Sequence, residues 1–382
     1  MIANLYQDAS VVLSTTSHHL SKISENIASS KITENVVKIS EVINRKLHLQ
    51  HRLNCGGSLN PDTARQRYKK HSPNSLYNSL TRFEGLAIKQ GILPELDEED
   101  LELTKVIGRG AYGDVYEGVL RDRETGKDHN VAIKSLKKGR GMTVAAFLRE
   151  LHILRLCGTH PNVIKFYGAL TCNSTRPKVI LELCPKGDLF RLISQCNPCH
   201  DRKTIYGSVK DGTMFTFTQI FQLLRDVARG LEHLHRRGIV HQDLSARNIL
   251  LDETYRPKIS DFGLSSHHVD ATREHETKQG VAIPVRWAAP EVVLDRLYSN
   301  KSDIWSYGIL IGEVVSYGDV PWPKLSQTDI RRAMKKKLPP EPPHNTYFPL
   351  QQILLQCWEY EPQKRPALEQ LAEAIGNFNV SS

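Results

Sequence analysis

His241-Gln242-Asp243-Leu244-Ser245-Ala246-Arg247-Asn248 places a carboxylate, a guanidinium and a carboxamide within six positions, 243 to 248. An apolar-faced run over 221–235 precedes it, and the apolar Ile249-Leu250-Leu251 follows. The stretch therefore reads as a loop between a helix and a strand-like segment. Loops held by rigid elements on both sides are where catalytic groups tend to sit.

Toward the N-terminus, Leu101-Glu102-Leu103-Thr104-Lys105-Val106-Ile107 alternates as a strand does, after the acidic run Glu95 to Asp100. Gly108-Arg109-Gly110-Ala111-Tyr112-Gly113-Asp114-Val115 comes next. A lone G-x-G-x-x-G is weak evidence, and a dinucleotide fold needs its glycines to open a helix. Here Asp114 to Leu120 alternates again, so the expected element is strand, turn, strand. A glycine hairpin of that kind can lie over phosphates, because no side chain keeps its backbone away. Val131-Ala132-Ile133-Lys134 then reads as a strand ending in a lysine, either a solvated strand end or a phosphate ligand.

Residues 143–157 read as a helix capped by Thr143, with Phe147, Leu151, Leu154 and Leu156 on its apolar face. Glu150 lies beside that face and is expected in solvent unless Lys134 faces it. Residues 163–167 and 178–183 read as further strands. The chain from about 100 to 183 is thus a mostly β lobe with one helix, and beyond 187 it is mainly helical, with a nucleotide site between the lobes as the economical expectation. Residues 194–215 read as an inserted, turn-rich loop. Its Cys196-Asn197-Pro198-Cys199-His200 matches a c-type haem pattern, but lacks the export context that haem attachment needs, and it is an incomplete zinc set.

Residues 1–53 read as a helical or partly disordered extension. Leu20, Ile23 and Ile27, then Ile32, Val36, Ile39 and Ile43, keep heptad-like spacing in two sets that are out of phase. Self-association through 11–49 and a plain polar extension both stay open. Residues 54–95 read as a linker, with Tyr68 and Tyr77 as candidate phosphosites. The net charge of +9 favours acidic partners without choosing among them. No arginine-rich tract interleaves with aromatics, so nucleic acid is not the expected partner. Seven scattered cysteines suggest reduced thiols. No apolar run reaches the ~18 residues of a membrane span, and no signal peptide is legible. A cytoplasmic chain, or the inner part of a receptor, is the expectation.

Taken in order, Gly108 to Val115, Lys134, Glu150, Asp243 to Asn248, Asp261-Phe262-Gly263 and Ala289-Pro290-Glu291 resemble the motif series of a protein kinase, specifically of the tyrosine kinase family. The resemblance spans about 100–377. It implies an α+β, bilobal protein-kinase fold, with a catalytic domain over 96–377 and a tail at 378–382. It implies an enzyme that moves the γ-phosphoryl group of ATP to tyrosine hydroxyls of protein substrates, using Mg2+, with Mn2+ as the alternative ion. Gly108, Arg109, Gly110, Ala111, Tyr112 and Gly113 would cover the phosphates. Val115, Ala132 and Leu250 would sandwich the adenine, with Glu182 and Cys184 giving hinge backbone groups and Leu181 gating the pocket behind. Lys134 would hold phosphates and pair with Glu150; Asp261 and Asn248 would hold metal ions; Asp243 would accept the tyrosine proton. His241, Phe262, Leu154 and Phe166 would pack as an internal spine, and Asp303 would anchor the catalytic loop.

Tyrosine preference is implied by Ser245 and Arg247 in that loop, by the platform Pro284-Val285-Arg286-Trp287, and by Cys357-Trp358 with Pro362 and Arg365-Pro366. Glu291 and Arg365 would form a buried ion pair. Leu338-Pro339-Pro340-Glu341-Pro342-Pro343 reads either as a connection between C-lobe helices or as a polyproline ligand. Two departures matter. Gln242 stands where the family usually has arginine, and no tyrosine lies between Phe262 and Trp287; His275 or Glu276 falls near the expected position. A phosphate acceptor and its receptor are both missing, so switching by loop tyrosine phosphorylation is not expected; Thr272 and Thr277 remain as phosphosites. A pseudokinase, a nucleotide-binding scaffold without catalysis, is the alternative from a different class.

Overall fold

Three nine-residue strands and two five-residue strands build the first layer of the molecule. β1 (Leu101–Arg109), β2 (Gly113–Arg121), β3 (Asp128–Leu136), β4 (Phe166–Leu170) and β5 (Lys178–Glu182) form a five-stranded antiparallel sheet in the order β1-β2-β3-β5-β4. The computed structural model describes residues 95–109, 113–123, 125–136, 144–171, 176–198, 205–208, 214–268, 275–276, 283–344 and 346–378. The expected self-association stretch, the linker up to residue 94, Gly110, Ala111, Tyr112, the Thr143 cap, Thr272 and Thr277 lie outside them.

Register decides what this sheet offers. Lys134 pairs with Val115 on one side and Val179 on the other, and Ala132 pairs with Glu117 and Leu181. Paired residues share a face, and so do residues two apart on a strand. Val115, Ala132, Lys134, Val179 and Leu181 therefore line one face together. The opposite face buries Leu101, Leu120, Val131, Ile133, Leu170 and Ile180 as a small core of its own. Gly118 is required there: a Cβ would sit 2.3 Å from the Glu102 carbonyl oxygen and 2.4 Å from Ile133. The acidic run is pinned to this lobe, with Asp97, Glu98 and Glu99 still exposed. Arg123 donates to Asp100 at 2.6 Å and to Asp97 at 2.9 Å, and Thr171 donates to both oxygens of Glu95.

α1 (Val144–Cys157) buries Phe147, Leu151, Ile153, Leu154 and Cys157. Glu150 is buried too, because Lys134 does face it. The strand expected over 163–167 starts three residues later, at Phe166. Val163 instead bridges to Ile259, and the Ile164 N–H donates to the Ile259 carbonyl at 2.9 Å, so this pair joins the second lobe.

The second lobe follows. α2 (Leu189–Gln195) opens on Asp188, whose carboxylate accepts from the Arg191 N–H at 2.8 Å. The segment expected as a loop holds a three-stranded sheet of β6 (Asn197–Pro198), β7 (Ile205–Ser208) and β8 (Met214–Thr216). Tyr206 anchors it: buried, its hydroxyl donates to the Val314 carbonyl at 2.5 Å and its ring stacks on Tyr317. Strands this short carry no periodicity to read.

α3 (Phe217–Arg236) starts at a reciprocal cap. Thr216 Oγ1 accepts from the Gln219 N–H, and Gln219 Oε1 accepts from the Thr216 N–H. It leads to β9 (Ile239–Val240), the loop at His241, β10 (Ile249–Leu251), β11 (Pro257–Ile259), β12 (Ser266–His267) and β13 (His275–Glu276). α4 (Pro290–Asp295), β14 (Leu297–Tyr298) and α5 (Asn300–Val315) come next, then α6 (Gln327–Lys335), α7 (Phe348–Cys357) and α8 (Leu368–Gly376). Every residue of α5 from Ser302 to Val314 is buried, so it is the axis of the lobe. Gly308 allows α7 to close on it, since a Cβ there would lie 2.6 Å from that of Cys357. The proline-rich stretch over 338–343 connects α6 to α7 and lines a cavity of about 580 Å3 with Trp358 and Trp322. No described helix is long and apolar enough to cross a membrane.

Glu291 and Arg365 meet as a fork, at 2.6 and 2.8 Å, with the Arg365 side chain wholly buried. Arg365→Met strands the carboxylate and should cost about 3–5 kcal/mol in urea unfolding; a loss under about 1 kcal/mol, the range of exposed pairs, would contradict this placement.

Candidate active site

The loop at His241 hangs from buried acceptors. Asp303 on α5 accepts the His241 N–H at 2.8 Å with one oxygen and the Gln242 N–H at 2.9 Å with the other. His235 Nε2 lies 2.9 Å from the same carboxylate. Glu313, near the far end of α5, accepts the Ala246 N–H at 2.9 Å and is itself buried. Ser265 Oγ donates to the His241 carbonyl at 2.9 Å. His241 is fully buried; its Nδ1 accepts from the Asp243 N–H at 3.3 Å, so its Nε2 carries the proton donated to the Ser260 carbonyl at 3.0 Å.

Asn248 ties the two ends of the loop. Its Nδ2 donates to the Asp243 carbonyl at 2.7 Å and to the Asp243 carboxylate at 3.0 Å. The backbone N–H and hydroxyl of Ser260 both donate to the Asn248 carbonyl at 2.9 Å. That sets the start of Asp261-Phe262-Gly263. Phe262 is buried against the His241 ring, with centroids 5.3 Å apart, while Asp261 is exposed and held at φ 60. Burial pushes the Asp243 carboxyl above its ordinary value and nearby Asp261 adds to that, while His241, Asn248 and Arg247 pull the other way.

From the first lobe, Lys134 Nζ meets Glu150 Oε1 at 2.6 Å. The second Glu150 oxygen is buried and has no hydrogen-bond partner among the described residues. Gly108 and Arg109 close β1 and Gly113 opens β2, with Gly108 opposite Val115. Leu154 and Phe166, expected in the spine, pack into the same core as Phe262 and His241's neighbours. At the hinge, the Glu182 N–H donates to the Lys165 carbonyl at 2.9 Å and its carboxylate pairs with Lys258 at 2.7 Å. The Cys184 carbonyl accepts from the Gly187 N–H, and Leu250 sits on β10 opposite Lys258.

Arg247 is exposed, its guanidinium 4.8 Å from the Trp287 ring and 5.9 Å from that of Phe190. Arg286 does not face outward as a ligand. It donates to the carbonyls of Pro321, Trp322 and Leu325 at 2.7–2.9 Å, fixing the platform on which Trp287 lies. Sequence reasoning missed Glu313, Ser260 and Ser265. An acid in the apolar stretch Ile309 to Val315 was the available sign for Glu313; the serines carry none.

Among the described residues no three His, Cys, Asp or Glu side chains form a metal cluster. Asp261 and Asn248 nevertheless suit a hard divalent cation. Both offer oxygen, since the Asn248 nitrogen is committed to Asp243, and Mg2+ commonly takes one or two protein oxygens and completes its shell with phosphate and water. A single-shell acidic cage is not needed.

This combination of a β lobe carrying a lysine–glutamate pair and a helical lobe carrying an aspartate–asparagine loop defines a protein kinase catalytic domain. Comparison agrees. The family model for protein tyrosine and serine/threonine kinases matches residues 101–375, and the chain belongs to that family. It is 34% identical to tyrosine-protein kinase Src64B of Drosophila melanogaster over 291 residues, 75% of this chain and 48% of that protein. It is equally identical to fibroblast growth factor receptor 1 of Dugesia japonica (74% of this chain, 32% of the relative) and to ephrin type-B receptor 1-A of Xenopus laevis (74% and 27%). The chain thus spans half the length, or less, of these relatives.

Burial pushes the Cys184 thiol up to about 12, and those of Cys157 and Cys357 likewise to about 12. A thiol so raised stays protonated at neutral pH and is a poor nucleophile. In the native protein at about pH 7.5, iodoacetamide should leave these three unlabelled by peptide mapping; rapid labelling of Cys184 would contradict the packing described around the hinge.

Proposed function

We propose that the chain is an ATP-dependent protein tyrosine kinase. What supports this most is the position of Arg247, stacked on Trp287 beside Asp243 in the loop that Asp303 and Glu313 suspend. That arrangement sets a charged, planar side chain next to the platform on which a peptide would lie.

In this reading Gly108, Arg109, Gly110, Ala111, Tyr112 and Gly113 lie over the ATP phosphates, and Val115, Ala132 and Leu250 enclose the adenine. Lys134 is kept extended by Glu150 and binds phosphate oxygens. Glu182 and Cys184 meet the adenine edge through their backbone. Asp261 and Asn248 hold the divalent ion, Mg2+ or Mn2+, which when bound neutralises charge on the phosphates. Asn248 also fixes the Asp243 carboxylate. Asp243 orients the tyrosine hydroxyl and receives its proton as the oxygen attacks the γ-phosphorus and the bond to the β-phosphate oxygen breaks. Arg247 supports charge at that hydroxyl, and Trp287 holds Arg247.

The catalytic domain is assigned to 96–377, preceded by the extension 1–53 and linker 54–95. Its substrates are tyrosine-bearing proteins. The relatives include receptors, so we place its action on the cytoplasmic side, free or as the inner part of a longer chain. Self-association through 11–49 is retained as a proposal. The pseudokinase reading is disfavoured because Lys134, Glu150, Asp243, Asn248 and Asp261 are all kept and the first four are paired as catalysis requires.

Incubation with ATP, Mg2+ and a poly-Glu/Tyr polymer should yield phosphotyrosine, and Asp243→Asn should lower the rate by roughly 10²-fold or more. Equal product from both proteins would sink the reading. The pH profile follows from burial of Asp243. The base must be ionised to act, and its ionisation is shifted upward. kcat/KM should therefore fall, on acidification, above the ordinary aspartate range. A profile flat down to about pH 4 with the fold intact would contradict it.

A further inference from the structure

β12 pairs with β9, Ser266 opposite Val240 and His267 opposite Ile239. Neighbouring residues on a strand point to opposite sides. Ser266 turns to the catalytic loop, where Gln242 Nε2 donates to its hydroxyl oxygen at 2.6 Å and His268 Nε2 lies 3.0 Å from the same atom. His267 turns to α1, its ring edge-on to that of His152 with centroids 6.3 Å apart. His152 is two residues beyond Glu150 on that helix. One strand thus touches both the residue preceding Asp243 and the helix that supplies the partner of Lys134.

Gln242 is held from both ends. It sits at φ 69, a conformation that a side chain of this size keeps only when its surroundings impose it. Its N–H goes to Asp303 and its carboxamide to Ser266. The Gln242 amide donates to Ser266, whose hydroxyl oxygen lies within hydrogen-bond distance of His268 Nε2, and the His268 backbone N–H is fixed on the Gly238 carbonyl at 2.9 Å. Further on, His275 pairs through its backbone with Tyr298 and Glu276 with Leu297, so the position near the missing tyrosine is also held without a phosphate.

We propose that Gln242, Ser266 and His268 form a hydrogen-bonded clamp that does the work of a phosphate and its arginine receptor. It fixes the segment after Asp261-Phe262-Gly263 in the arrangement in which Lys134 meets Glu150. Gln242 and Ser266 are then positioning residues for Asp243. The clamp rests on the kinase reading and adds its mode of regulation: the enzyme is built in its working state.

The test uses the full chain, treated exhaustively with phosphatase, with ATP, Mg2+ and poly-Glu/Tyr. The treated wild type should keep its activity within about twofold, while Ser266→Ala and Gln242→Leu should lower kcat about tenfold or more, with KM for ATP and melting temperature little changed. Ser266→Thr, which restores the hydroxyl, should recover the rate to within about threefold. A structural defect alone would move melting and both kinetic constants together, and would not be rescued by the hydroxyl. Should Gln242→Leu not fold, Ser266→Ala decides alone. An active wild type with both variants unimpaired, or one that loses its activity to phosphatase, overturns the clamp and leaves the kinase reading standing. A wild type with no Asp243-dependent product overturns both.

Discussion

Asp303 accepts two consecutive backbone N–H groups, those of His241 and Gln242, from inside a helix that is buried on every side. Removing that carboxylate would strand both donors away from water, at about 1–3 kcal/mol each. The cost explains why the loop has one shape. It begins at Asp303 and ends at Glu313, which takes the Ala246 N–H, and both acceptors belong to α5. Between these fixed points Asp243 has little freedom, Arg247 and Asn248 follow directly after the second, and the site inherits the rigidity of the lobe's axis. Preorganisation of this kind is what phosphoryl transfer needs from a protein, because positioning and charge do most of the work.

The other half of the site depends on register. Lys134 reaches Glu150 because β3 pairs with β2 and β5 so that Val115, Ala132, Lys134 and Leu181 share a face. A slip of one residue would turn all of them to the opposite side. The two halves meet through the segment 260–268: Ser260 binds the Asn248 carbonyl, Phe262 packs on His241, and His267 reaches the helix of Glu150. This segment also carries Ser266, whose hydroxyl oxygen accepts from the Gln242 carboxamide.

Much of this was legible in the sequence because the chemistry demands particular residue types in a particular order. Lys134, Glu150, Asp243, Asn248 and Asp261 are legible through their resemblance to the kinase motif series, and alternation marks β1 and β2. The burial of Glu150 could be stated only conditionally, since an acid beside an apolar helix face is usually solvated. Other features left no trace. Strands of two to four residues in 197–216 show no period, and the start of β4 was misplaced because Val163 and Ile164 are as apolar as a strand but pair with Ile259. Ser260, Ser265 and Ser266 matter through hydrogen bonds to residues distant in the chain, and a serine looks the same wherever it stands.

Amide hydrogen exchange on the dephosphorylated chain without nucleotide tests most directly whether the site is built in advance by α5. The N–H groups of His241, Gln242 and Ala246 should exchange only as slowly as the core of α5 itself, through global unfolding. Exchange of these three within seconds, while α5 stays protected, would show a loop that is not held by Asp303 and Glu313 and would contradict the prebuilt site.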